Sequence, residues 1–307
     1  MKLKKILRQI VPATAALLGL GAPIMAQPAM AEEVVLDRSD ADPALWKLSD
    51  DDTTIYMFGT MHLLKPDLVW FDDAVSEAFA ASDELVVEMV EPGDDVVQQE
   101  MMTHGIRTDG STMSGALSAE QNARLAAAAE KLGMPVAMME PMQPWFAGLI
   151  LSLAPMEKLG YSGEAGVEKV LEAQAEERNM PISGLEGFSE QLGFFSTMTE
   201  EAQIGFLMEA VDQLDEAEAM YAEMEDAWGL GDVNATADLI NEGMEATPEV
   251  YETLLVNRNA NWADWVVGRM AQPGTVFMAV GAGHLSGDDS VQAMLAKRGL
   301  SVERVQY

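Results

Sequence analysis

Two stretches of the chain end in the same way: TIYMFGTMHL at residues 54–63 and VFMAVGAGHL at 276–285. Each is an apolar run leading into Gly-x-x-His-Leu. An apolar run this short, closed by glycine, has the length of a buried strand and is too short for a buried helix. Where such strands lie parallel in one sheet, their carboxyl ends share an edge, and in open α/β sheets that edge is where ligands bind. The chain has only three histidines. Two of them, His62 and His284, fall at equivalent strand ends more than two hundred positions apart, so the repeat predicts that distant segments meet.

The segments around the first motif follow a strand and helix rhythm. Residues 54–58 read as a strand, 68–81 as a helix and 84–88 (ELVVE) as a second strand. Ser118-Ala-Glu-Gln121 has the form of a capping box, opening an Ala-rich helix that Gly133 and Pro135 stop before a short apolar run at 136–139, expected to be a third strand. From Pro141 the pattern turns helical, over 145–153, 167–178, 200–228, 233–243 and 248–270, interrupted only by a strand within 180–186. Residues 275–280 resume the sheet, followed by a helix at 290–298 and a closing strand at 301–305. The expected fold is α/β: a mainly parallel sheet flanked by helices and split by a helical insertion at about 141–270, all within one domain spanning 32–307. No Pro/Ser/Gly-rich linker divides it. With 49% hydrophobic residues in 307, a large core is affordable, and the 23 methionines, at helix-face spacings such as Met208, Met220 and Met224, read as adaptable packing.

The first 31 residues are expected to be a signal peptide. They carry Lys2, Lys4, Lys5 and Arg8, a short apolar centre broken by Pro12, and the small-x-small sequence Ala29-Met30-Ala31. The apolar centre falls short of the ~20 residues that span a bilayer, so export to the periplasm without stable membrane insertion is the expectation. The formal net charge of −33 becomes about −37 without those residues, which argues against nucleic acid as a partner. With no cysteine in the chain, any metal must be held by imidazole and carboxylate, and thiol chemistry is excluded.

Two carboxylates follow the same strand-end logic: Glu88 closes ELVVE and Glu186 closes PISGLE. A glutamate ending an apolar strand is costly to bury unless paired or metal-bound. His62, Glu88, Glu186 and His284 together suffice for a divalent metal such as zinc, which lowers the pKa of bound water. Other roles are open: Glu186 can equally cap the next helix, and Arg258 and Asn259 can pair with a site carboxylate or with a surface acid, the surface being favoured on spacing alone. His104, without a strand-end partner, reads as structural. No phosphate-binding glycine loop, HExxH or GxSxG is present.

These motifs, with LVVEM around Glu88, GLE at 184–186, NRN at 257–259 and the ending GAGHLSGDDSVQAMLAKRGLSVERV, resemble the TraB/PrgY/GumN family, to which the animal Tiki proteins are related. The resemblance covers almost all of the chain after residue 31. It implies a fold similar to the erythromycin esterase/ChaN-like group, with the two Gly-x-x-His motifs brought together. From Tiki it implies a metal-dependent peptidase acting on a peptide or protein and supported by manganese or cobalt, with His62, His284 and Glu88 at the metal and Glu186, Arg258 and Asn259 as further motif residues of the catalytic site. Two departures stand out: Gly166-Val167-Glu168 where many relatives have Gly-x-Asp, and Gly187 where many have threonine after Gly-Leu-Glu. Other branches of the resemblance imply a non-catalytic envelope protein binding a peptide signal, haem or a polysaccharide intermediate, or an esterase-like hydrolase that uses a histidine base without metal.

Overall fold

The structure is a computed structural model that describes residues 39–245 and 247–306. The expected signal peptide lies outside the described residues. Among the described residues eight strands run in chain order as β1 (Ser39–Asp40), β2 (Leu45–Ser49), β3 (Thr53–Thr60), β4 (Leu68–Val69), β5 (Glu84–Met89), β6 (Ile182–Glu186), β7 (Gly274–Gly281) and β8 (Glu303–Arg304). Six form one sheet in the order β6-β5-β7-β3-β2-β8. The central pairs β6/β5, β5/β7 and β7/β3 are parallel, while β2 runs antiparallel to both β3 and β8. The mainly parallel α/β sheet read from the sequence is therefore what the chain forms, with an antiparallel margin added.

Alternation along the strands explains why helices cover both faces. Phe58, Leu85, Val87, Phe277 and Ala279 pack on one side, with Trp70, Phe79, Leu171 and Trp228. Their neighbours Ile55, Met57, Val86, Val276, Met278 and Val280 pack on the other, with Trp262, Val266 and Leu295. A strand buried on both sides has no polar face to show, hence the near-continuous apolar runs. The helices Pro144–Lys158 and Glu200–Asp212 build a further core around Trp145, Phe146, Leu149 and Leu207.

Four local expectations are corrected. The run at 136–139 is a 3-10 turn, Val136–Met138, with none of its three residues buried and Val136 38% exposed, so it lacks the two-sided burial of the sheet's central strands. The helix expected over 68–81 begins only at Asp73, because Leu68–Val69 pairs with Ser39–Asp40. The helix expected over 200–228 is broken by a 3-10 turn at Gln213–Asp215. In the stretch expected as one helix over 248–270, a π-helical turn, Glu252–Val256, precedes the helix Asn257–Arg269. Such turns rotate the following residues relative to a regular helix, here the pair Arg258 and Asn259. The capping box is present as read, with Ser118 and Gln121 exchanging backbone and side-chain bonds ahead of Ala119–Leu132.

Candidate functional site

The register of β3 on β7 pairs Thr60 with Gly281, so the two Gly-x-x-His motifs leave adjacent parallel strands at the same level. Gly59 lets them approach. A Cβ there would stand 3.1 Å from the Cα of Ala282, the first residue beyond the sister strand. The loop after β3 is pinned from three sides: Trp228 Nε1 donates to the Gly59 carbonyl (2.8 Å), the Val167 N–H to that of Met61 (3.0 Å) and Tyr221 OH to that of Leu63 (2.7 Å). After β7 the chain turns through Ala282–Leu285, which buries His284.

Glu88, at the end of the neighbouring β5, bridges these elements. Its Oε1 accepts from the Gly281 N–H at 2.6 Å, and its Oε2 accepts from Arg258 Nη2 at 2.6 Å and from Gln191 Nε2 at 3.3 Å. Burial alone would raise its pKa, but the Arg258 charge, followed by the two histidines and the Gly281 N–H, outweighs that and holds it far below the carboxylate range. Glu186, at the end of β6, takes Arg258 Nε on Oε1 (2.9 Å) and Nη2 on Oε2 (2.8 Å), and its remaining capacity is used by Trp262 Nε1 (2.9 Å) and Gln191 Nε2 (3.0 Å). One guanidinium thus joins the ends of two strands. Its plane also lies over Trp262, 4.8 Å from the ring centroid.

The two histidines are held differently. His284 Nδ1 lies 2.6 Å from Asn259 Oδ1, an acceptor only, which places the proton on Nδ1 and leaves Nε2 unprotonated. That Nε2 accepts from Arg258 Nη1 at 3.1 Å and stands 3.7 Å from Glu88 Oε1. Burial pushes the His284 pKa down to about 3, with Glu88 opposing and Arg258 assisting. His62 Nδ1 pairs with Glu168 Oε1 at 2.7 Å, and Thr60 Oγ1 donates to the same oxygen. The Glu168 charge lifts the His62 pKa to about 9 against the opposing effect of burial, although 41% of its side chain stays open towards the cavity.

All six residues singled out from sequence gather at this edge. The favoured placement of Arg258 and Asn259 at the surface is corrected: both are buried, Asn259 completely, because the π-helical turn aims them inward. Glu186 does not cap the next helix; Glu190 bonds the Gly187 N–H there (3.2 Å) and leaves Glu186 to Arg258. His104 stands apart, bonded to Ser196 at 2.8 Å. Sequence reasoning missed Glu168 as a direct partner of His62, and Gln191 and Trp262 as donors to the carboxylates. The available signal was Glu168 itself, two residues after Gly166, where many relatives have aspartate.

Whether the donors suit a metal rests on these contacts. Among the described residues no group of three or more imidazole and carboxylate side chains is arranged to hold an ion, and Arg258 bonds both Glu88 Oε2 and His284 Nε2. The donor chemistry nevertheless fits. Each histidine has its Nδ1 tied to an oxygen acceptor, as metal-binding histidines do, and two imidazoles with one carboxylate form a common divalent-metal set.

Fold and site place the chain among α/β proteins whose ligand edge is made from the ends of parallel strands. Within that class it belongs to the TraB/PrgY/gumN family, whose model matches residues 44–304. It is similar to the uncharacterized protein YbaP of Escherichia coli, at 24% identity over 58% of this chain and 66% of YbaP, just under two thirds of that relative's length. It is also similar to an uncharacterized protein of Treponema pallidum, at 23% identity over 85% of this chain and 82% of the relative. No solved structure matches the chain.

Proposed function

We propose that this protein is an exported hydrolase of amide bonds, with a divalent metal held by His62, His284 and Glu88. The observation that carries the reading is the anchoring of both imidazoles through Nδ1, by Glu168 and by Asn259, beside a carboxylate kept ionised by Arg258. A divalent cation supplies Lewis acidity towards a carbonyl oxygen and towards water. The chain's own residues do the rest. Glu88, kept ionised and within 3.7 Å of His284 Nε2, is the carboxylate ligand of the reading. Arg258 orients Glu88 and fixes the distance between β5 and β6. Glu186, whose oxygens are filled by Arg258, Trp262 and Gln191, positions the guanidinium, and Asn259 sets the His284 tautomer. Peptides or proteins are the substrate class that the family resemblance suggests.

Export rests on the composition of residues 1–31. No helix among the described residues is long and apolar enough to cross a membrane.

The test is metal analysis of protein purified without chelator, alongside His62→Ala and His284→Ala. About one equivalent in the parent chain and a marked loss in both variants is expected. Equal and negligible metal in all three refutes the metal centre. One contact favours a second reading: Asn259 Oδ1 holds the proton on His284 Nδ1 and leaves Nε2 unprotonated, which suits a hydrolase that uses neutral His284 as its base once Arg258 Nη1 is displaced. Peptide cleavage that survives exhaustive chelation selects it.

A further inference from the structure

The site lies at the junction of two cavities of different character. The larger, about 450 Å³, runs from His62 and His284 between the helix Pro144–Lys158 and helices that follow β6. Its walls are mainly apolar, including Met61, Met156, Phe206, Met220, Met224 and Leu239. The smaller, about 140 Å³, lies on the far side of Glu88 and is lined by Glu91, Glu168, Lys169, Glu172 and Gln191, with Phe194 as one apolar wall. Its charges are paired internally, Lys169 Nζ reaching Glu91 at 2.8 Å and Glu172 at 3.3 Å. His62, Glu88 and Arg258 line both cavities.

From this we infer that the preferred substrate is an amide joining a long acyl chain to a small polar amine, the chain occupying the larger cavity and the amine the smaller. The inference rests on the hydrolase reading of the same site. The larger cavity is in the range of whole-ligand sites and exceeds the needs of one amino-acid side chain. Unbranched, polarisable methionines on its walls adapt to chains of different length. An extended peptide would bring a polar amide every few atoms into walls that offer few partners, at a desolvation cost that an acyl chain avoids. The smaller cavity has room for a few heavy atoms and presents hydrogen-bonding groups whose net charge is small, which suits a neutral head better than an ionised one. In the reaction the oxygen of water bonds to the carbonyl carbon, the C–N bond breaks, and the nitrogen takes up a proton, giving a carboxylic acid and a free amine.

The test separates binding from turnover. Calorimetric titrations of the full chain, with chelator present, use N-acylethanolamines with acyl chains of 4 to 14 carbons. Each added methylene is expected to tighten binding about three- to fourfold until the cavity is filled. Met220→Trp, at a half-buried wall position, is expected to weaken the 12-carbon ligand at least tenfold while leaving the 4-carbon ligand unchanged. Affinity that does not depend on chain length, or a 12-carbon ligand that binds Met220→Trp normally, overturns the inference. Length-dependent binding with no turnover, with or without manganese, supports the amphiphile site and refutes the hydrolase. Metal-dependent cleavage of unacylated peptides without chain-length-dependent binding does the reverse.

Discussion

Gly166→Ala should damage the His62 arm of the site through steric contact alone. Gly166 has φ −59° and ψ 148°, a conformation open to any residue, so alanine brings no torsional cost. The difficulty is space. A Cβ at residue 166 would stand 2.2 Å from the His62 carbonyl oxygen and 2.9 Å from that of Gly163, where ordinary contacts begin at 3.4 Å. Relief needs a displacement of more than 1 Å, and it is backbone that must move, held by the Val167 to Met61 hydrogen bond on one side and the 3-10 turn Gly163–Ala165 on the other. Overpacking of this kind costs about 1–3 kcal/mol, which for a chain of this size lowers Tm by roughly 2–10 °C. Because Glu168 begins the same helix, the shift also parts it from His62. A misplacement of ~1 Å in a catalytic group can cost about a hundredfold in rate. Thermal melts followed by circular dichroism measure the first effect, and the His62 ring-nitrogen NMR shifts measure the second. Gly193→Ala is the control: nothing lies within 4 Å of its Cβ, and in a helix alanine should raise stability by about 0.5–1 kcal/mol. Equal melting temperatures for the two variants, with His62 unshifted, would refute the reasoning.

The opposed states of the two histidines predict opposed titrations in metal-free protein: by NMR, His62 should lose its proton near pH 9 and His284 should stay neutral until about pH 3. Since both have an ordinary value of 6.5, the His62 pair contributes stability that is complete below pH 6.5 and lost as pH rises through 9. Buried neutral His284 instead makes stability fall as pH drops below 6.5; denaturant melts that are flat from pH 4 to 9 would contradict both. Arg258→Gln removes the charge that two buried carboxylates share, which costs about 3–5 kcal/mol or roughly 6–15 °C in Tm, and a loss under 1 kcal/mol by urea unfolding would show that the cluster is more hydrated than its burial implies.

Much of the sheet was legible because its strands are buried on both faces. Residues 54–58, 84–88 and 275–280 are near-continuous apolar runs, and the strand-to-Gly-x-x-His repeat points two of them to one edge of the sheet; that they are direct neighbours is seen only in the register of β3 on β7. β2 was not legible. LWKLS packs Leu45 and Leu48 but half-exposes Trp46 and Lys47, so it lacks clean period-two alternation and reads as part of a polar lead-in. The apolar run at 136–139 failed for the opposite reason: it has strand composition, yet none of Val136–Met138 is buried, and burial depends on the tertiary surroundings and not on composition. At the site, the strand-end residues were found because strand ends are local. Spacing alone favoured the surface for Arg258 and Asn259, and only the family resemblance put them at the site, because their inward aim depends on a π-helical turn, which has no period that a helical pattern would reveal.

Arg258 is the residue on which both chemical readings turn. It keeps Glu88 ionised, as a metal ligand requires, and with the same guanidinium it occupies the Nε2 lone pair of His284. A cation held by His284 must compete with Nη1 for that nitrogen, whereas a substrate that uses His284 as a base must displace the same donor. In either case the resting site is closed by an internal hydrogen bond, and part of the binding free energy goes into opening it. The bidentate contact to Glu186 bears on how this happens: Nε and Nη2 hold the guanidinium to β6, so Nη1 can release His284 by a small rotation while the ion pairs to Glu186 and Glu88 persist. A lysine at 258, with one point charge and no fork, could not hold two carboxylates in fixed geometry and free a third contact independently. That separation of tasks within one side chain gives a physical reason for an arginine at the centre of a cluster whose other members are two glutamates and a neutral imidazole.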